Sequence, residues 1–81
     1  MRARYSKGFF DALEIAPDAI KKAFFKQVRF LVANLRHPSL HAKKYDESGD
    51  LWQARVNDDW RLYFTIQGDE YRLHDIKPHP K

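Results

Sequence analysis

Residues 51–77 constrain this chain most, because apolar side chains recur there with a period of two and the breaks between runs carry turn chemistry. Trp52, Ala54 and Val56 share one side of a strand, and Leu51, Gln53 and Arg55 share the other. Asn57-Asp58-Asp59 interrupts the run, after which Trp60, Leu62, Phe64 and Ile66 alternate with Arg61, Tyr63 and Thr65. Gln67-Gly68-Asp69-Glu70 supplies a second turn before a third run. Three consecutive strands with short turns make an antiparallel meander. A guanidinium inside such a strand must stand on a solvated face or belong to a surface that holds an anion.

A sheet with one apolar side needs a partner layer. The sequence offers two helices for it. Ser6 is placed to cap a first helix, with Phe9, Phe10 and Leu13 able to share a face, although Gly8 weakens it by roughly 1 kcal/mol relative to alanine. Pro17 and Asp18 open a second helix, proline at the first helical position and the carboxylate at the positive end of the dipole. Ile20, Phe24, Val28 (or Gln27), Leu31 and Leu35 then recur at helical spacing, with Lys21, Lys22, Lys26 and Arg29 largely off that stripe. The pattern predicts a helix from 17 to 36, ended by Pro38. Residues 2–5 suit a short first strand, and 40–45 a short strand before a loop at 46–50. The expected architecture is α+β: a helix hairpin on one face of a small, mainly antiparallel, four-stranded sheet, in one domain spanning 1–81.

Arg55, Arg61, Tyr63 and Thr65 are expected on the open side of that sheet. Arg61 has Asp59, Asp75 and Glu47 as ion-pair candidates, and His74, within a strand, reads as structural. Fifteen Lys and Arg against 11 Asp and Glu give a net charge of +4, which favours a polyanion or an acidic protein partner. With no cysteine, neither a disulfide framework nor a thiolate metal site can form, as in a reducing cytoplasm. Apolar runs are too short for a membrane-spanning helix, and the first residues do not read as a secretory signal. Gly-rich phosphate loops, His-Glu-x-x-His and Gly-x-Ser-x-Gly are all missing, and His37, His41, His74 and His79 lack the supporting spacing of a zinc site. Cations, aromatics and histidines without a carboxylate dyad suit phosphodiester chemistry free of metal or cofactor. Arginine grips phosphate, an imidazole moves a proton, and rings stack on splayed bases.

Four stretches carry a family resemblance: Asn34-Leu-Arg-His-Pro-Ser-Leu-His41, Leu51-Trp-Gln-Ala-Arg-Val-Asn57, Asp59-Trp-Arg-Leu-Tyr-Phe64 and the closing run from Tyr71 to His79. In this order and spacing the chain resembles the RelE/ParE toxins of bacterial type II toxin–antitoxin systems. The resemblance implies a cytoplasmic toxin, monomeric alone, that forms a hetero-oligomer with a small acidic antitoxin. It also implies an endoribonuclease that cleaves mRNA on the ribosome. Lys43 and Lys44 match the family's basic stretch ahead of the loop, Arg55 the arginine before the turn, Arg61 the aromatic-Arg step and His79 the histidine after the last strand. The family commonly follows that histidine with a tyrosine, where this sequence has Pro80 and Lys81. Stacking on a base would then fall to Trp52, Tyr45 or Tyr63. A ParE-like toxin that binds DNA gyrase, or an inactive protein that binds antitoxin only, are the alternatives.

Overall fold

The computed structural model describes residues 1–46 and 48–79. Strand β1 (Arg2–Tyr5) leads into helix α1 (Lys7–Glu14) and helix α2 (Asp18–Ala33). A 3₁₀ turn (Pro38–Leu40) follows, then β2 (Lys43–Asp46), β3 (Leu51–Arg55), β4 (Trp60–Gln67) and β5 (Glu70–Pro78). The α+β class and the helix pair on one face are as expected. The sheet has five strands rather than four, in the order β1-β5-β4-β3-β2. The first strand pairs parallel with β5, and every other pairing is antiparallel.

Local chemistry explains the boundaries. Ser6 Oγ accepts from the Phe9 amide at 3.1 Å, the cap that starts α1. The second helix ends at Ala33, three residues short of the expected end. Asn34 turns to extended backbone there, and its side chain accepts from the Arg36 amide at 3.0 Å, a local bond that competes with another helical turn. Leu40, expected to open β2, instead closes the 3₁₀ turn, which Pro38 can start because it lacks an amide donor, and β2 begins only at Lys43. Gly68 takes a left-handed φ of 58° in the two-residue β4–β5 connection.

Phe9, Phe24, Leu31, Leu40, Leu62, Phe64 and Leu73 are fully buried between the helices and the sheet. Phe24 meets Phe9 and Tyr5 with ring centroids 5.2 and 5.8 Å apart. The strand alternation holds through β3 and β4. It breaks in β5, where Tyr63 pairs with Asp75 but Phe64 pairs with Leu73, leaving His74 as an extra residue. That bulge lets Leu73 and Ile76, three apart, both enter the core, and it turns Asp75 and Lys77 to the open side. The Lys77 ammonium lies 5.0 Å from the centre of the Tyr63 ring.

Phe24→Ala should destabilise by about 3–5 kcal/mol, a large share of the total for so small a domain. Ser6→Ala should cost about 1 kcal/mol. Urea denaturation midpoints of the two variants against the parent measure both.

Candidate active site

The candidate site lies on the uncovered face of the sheet, at its β2–β3–β4 end. Arg55 at the end of β3 and Arg61 near the start of β4 are direct cross-strand partners, so both guanidinium groups leave the sheet on the same side. Lys43 of β2 is the partner of Gln53, one alternation back along β3 on the same side. The last strand delivers His79. Its amide donates to the Asp59 carbonyl at 2.6 Å, which fastens the end of β5 to the β3–β4 turn. Arg55, Arg61, Lys43, Gln53, His41 and His79 line one cleft of about 400 Å³. Among the described residues no carboxylate lines it.

The two arginines are held differently. Arg61 Nη1 donates to the carbonyls of Asn57, Trp60 and Asp58 at 2.7, 3.0 and 3.3 Å. One arm of its fork is thus anchored in the turn, and three of the five guanidinium donors sit on its other nitrogens. An anchored fork loses little rotamer freedom on gripping an anion. Asp59 and Asp75 were its expected partners; Asp75 lies 3.8 Å from Lys77, and Glu47 falls outside the described residues. Arg55 Nη1 is 4.0 Å from the Asp58 carboxylate, whose side chain is 95% exposed. An ion pair that long and that wet is weak. Arg55 Nε is buried with no hydrogen-bond partner among the described residues, as is Gln53 Oε1. Two neighbouring buried polar atoms without partners, in one cleft, need a ligand or a water to satisfy them.

Arg55 is positioned from behind. Gln27, buried on α2, donates from Nε2 to the Arg55 carbonyl at 2.8 Å and to the Ser39 carbonyl at 3.1 Å. Its Oε1 accepts from Ser39 Oγ at 3.2 Å. Ser39 in turn bonds His37 Nδ1, whose ring stacks on Phe30 at 3.8 Å. This fully used amide ties α2, the 3₁₀ turn and the end of β3 together. His41, just after that turn, sits in left-handed backbone at φ 46°, an uncommon conformation for a side chain of its size.

Of the five residues expected to act, Lys43, Arg55, Arg61 and His79 meet in the cleft. Lys44 does not: it is the cross-strand partner of Trp52, and its ammonium lies 3.4 Å from Asp50. Period-two alternation separates the two lysines. The aromatic candidates divide as well. Trp52 stacks on Phe64 on the helix side, and Tyr63, expected to be exposed, is 4% exposed beneath Tyr45 and Lys77. Burial pushes the Tyr63 hydroxyl above its ordinary pKa, aided by the neighbouring Tyr45. Tyr45 itself stays exposed on this face. His41 and Gln53 were not singled out from sequence. The Pro38 turn that brings His41 to the cleft has no periodic signal, and a strand glutamine reads as ordinary surface. His74, as expected, is engaged locally, 2.9 Å from Thr65 Oγ1.

A second cationic cleft at the β1–β5 end contains its own counter-ion. Glu70 accepts from Arg72 Nε at 2.8 Å and lies 3.9 and 3.8 Å from Arg2 and Arg4. The Arg72 hydrogen bond holds the Glu70 carboxyl below the usual carboxylate range, and the charges of Arg72, Arg4 and Arg2 add to it.

No known family profile matches this sequence, and no curated protein does. Solved structures match along the whole chain. The YoeB/ParE toxin from Agrobacterium tumefaciens superposes with a TM-score of 0.80 at 10% identity, covering 99% of this chain and 100% of that one. YafQ from Escherichia coli BL21(DE3) gives 0.79 at 18% identity, over 95% and 91%. The archaeal RelE–RelB complex from Pyrococcus horikoshii gives 0.77 at 22% identity, over 95% and 92%. The fold is therefore that of the RelE/ParE toxins, which bears out the resemblance read from sequence at the level of architecture.

Two outcomes follow from these contacts. Gln27→Leu should cost about 1–3 kcal/mol, because it strands the Arg55 and Ser39 carbonyls away from water; chemical denaturation measures it. Glu70's lowered pKa means that its stabilisation is present above the ordinary carboxylate range and is lost as pH falls through the lowered value. Melting temperature should therefore drop less in Glu70→Gln than in the parent between about pH 6 and about pH 2.

Proposed function

We propose that this chain is the toxin of a type II toxin–antitoxin pair and an endoribonuclease acting on mRNA at the ribosome. The observation that carries the reading is the convergence of Arg55, Arg61, Lys43 and two imidazoles on one cleft of the open sheet face that no carboxylate lines among the described residues. Three cations, Arg61 anchored among them, neutralise a phosphate and the charge that builds on it as it reacts. RNA carries its own nucleophile. The ribose 2′-oxygen attacks phosphorus and forms the new P–O bond, while its proton passes to the neutral imidazole of His41. The bond from phosphorus to the 5′-oxygen breaks, and His79 gives that oxygen a proton. The products are a 2′,3′-cyclic phosphate and a 5′-hydroxyl. Tyr45, the exposed ring on this face, is the group offered for stacking on a base.

An acidic antitoxin has a seat on the opposite side. Phe10 and Phe25, about half exposed, border a shallow apolar groove between the helices, with Lys21 and Glu14 on its rim and Lys22 and Lys26 nearby on α2. An amphipathic segment matches the apolar floor, and its acidic residues match the lysines along α2. Solved structures of this fold include RelB–RelE from Methanococcus jannaschii and the YoeB–YefM heterotetramer from Staphylococcus aureus, both antitoxin–toxin complexes.

Induced expression of the chain should arrest growth and create new 5′ ends within codons of a reporter message, read by primer extension. Arg55→Ala should abolish both while the protein stays folded, because that side chain lies at the surface of the cleft. DNA damage with intact messages would instead assign a gyrase-binding toxin. Full toxicity of Arg55→Ala at equal protein level would remove Arg55 from the mechanism.

A further inference from the structure

We propose that Gln53 is the group by which this cleft tells RNA from DNA, its side-chain oxygen accepting a hydrogen bond from a ribose 2′-hydroxyl. Gln53 lies on β3 between Lys43 and Tyr63, its cross-strand partners on either side. It is 6% exposed and lines the same cleft as Arg55, Arg61 and His79, and its Oε1 has no hydrogen-bond partner among the described residues. A buried carbonyl oxygen left unpaired is costly, and in native proteins such atoms are uncommon. Gln27, the other buried glutamine, has every polar atom engaged, so the fold is able to satisfy an amide where it has a structural use for one.

The backbone of a bound strand can supply the missing donor. Around Gln53 the cleft presents Lys43, Arg55 and Arg61, which donate and never accept, yet among the described residues none of their donors, Arg55 Nε–H included, reaches its Oε1. A phosphate is the complement of those groups and is repelled by a carbonyl oxygen. The sugar–phosphate backbone of a nucleic acid otherwise offers ether oxygens, which also accept. Its one donor is the 2′-hydroxyl, and DNA lacks it. A phosphate seated on the arginines carries with it the ribose on its 5′-oxygen side, whose 2′-hydroxyl is not the nucleophile, so acceptor and hydroxyl are brought together by the same contact. With DNA in the cleft, Gln53 Oε1 stays unpaired, and rejection by an unmet buried polar group is the sharp kind of discrimination. The proposal rests on the RNA reading above and adds to it a residue that determines sugar specificity.

The test is binding by the purified full chain, followed by fluorescence anisotropy, with strand integrity checked on a gel. The probes are three single strands of one sequence: RNA, DNA, and RNA with 2′-fluorine, which cannot donate. The parent should bind RNA about tenfold tighter than either of the others, the size expected of one hydrogen bond made or left unmade. Gln53→Leu should lose that preference and bind the three strands alike, since the cations that hold the phosphates are untouched. Gln53→Met, unbranched and of similar length, serves if the leucine variant does not fold. A preference for RNA that persists in the variant, or none in the parent, overturns the proposal. If the preference depends on Gln53 but no message is cut on expression, the nuclease reading fails and sugar selection stands. If messages are cut while the variant still prefers RNA, the sugar-selection proposal falls alone.

Discussion

One extra residue in the last strand sets the phase of everything at the site. The sheet is covered by helices on one side only, so each strand must sort apolar residues inward and polar ones outward along its length. Tyr71 and Leu73 obey the alternation, and Ile76 would violate it but for the bulge at His74. With the bulge, Lys77 faces Arg61 across the ladder and packs on Tyr63. The strand then runs on to the Asp59 carbonyl, which fixes His79 beside the cleft. Removing one residue there would turn the tail of β5 over, since a slip of one position exchanges the two faces. The core would lose Ile76 and the cleft its last-strand histidine together.

The site is also built from behind the sheet. Gln27 reaches through the apolar layer from α2 to the backbone of Arg55, and the same amide holds the 3₁₀ turn that precedes His41. A buried amide in an otherwise hydrophobic stripe is worthwhile only when all its bonds are made. Here they are, so the polar intrusion fixes where two cleft residues begin. Arg61 is fixed from the other end by the carbonyls of the β3–β4 turn. Arg55 is held by its backbone and is loose at its head, whereas Arg61 is held at its head. One guanidinium can adapt to a ligand while the other gives it a fixed reference.

Distribution of charge separates the two basic clusters on the open face. Arg2, Arg4 and Arg72 surround Glu70 and spend part of their field on it. Among the described residues no carboxylate lines the cleft of Lys43, Arg55 and Arg61, and the ion pair of Arg55 with Asp58 lies in solvent. The unspent field lies beside two histidines, where an anion can be both bound and acted on. The remoteness in sequence of the RelE, YoeB and YafQ structures, against full-length superposition, says that this architecture tolerates wide replacement of side chains provided the sorting into faces survives.

The meander, its two turns, the amphipathic second helix and the same-side placement of Arg55 and Arg61 were all legible in the sequence. Each depends on a local period or a local turn residue, and both reach across only a few positions. The choice of Lys43 over Lys44 was beyond it, because adjacent strand residues are chemically alike and only the pairing of Lys43 with Gln53 decides the face. His41 and His79 were separated by 38 positions, and nothing local announces that a 3₁₀ turn and a strand end will meet. Tyr63 alternated correctly with the core, yet its burial comes from Tyr45 and Lys77, which arrive from two other strands. Periodicity determined which residues share a side; the bulge, the Gln27 cross-tie and the order of strands determined which of them share a cleft, because those depend on contacts between segments distant along the chain.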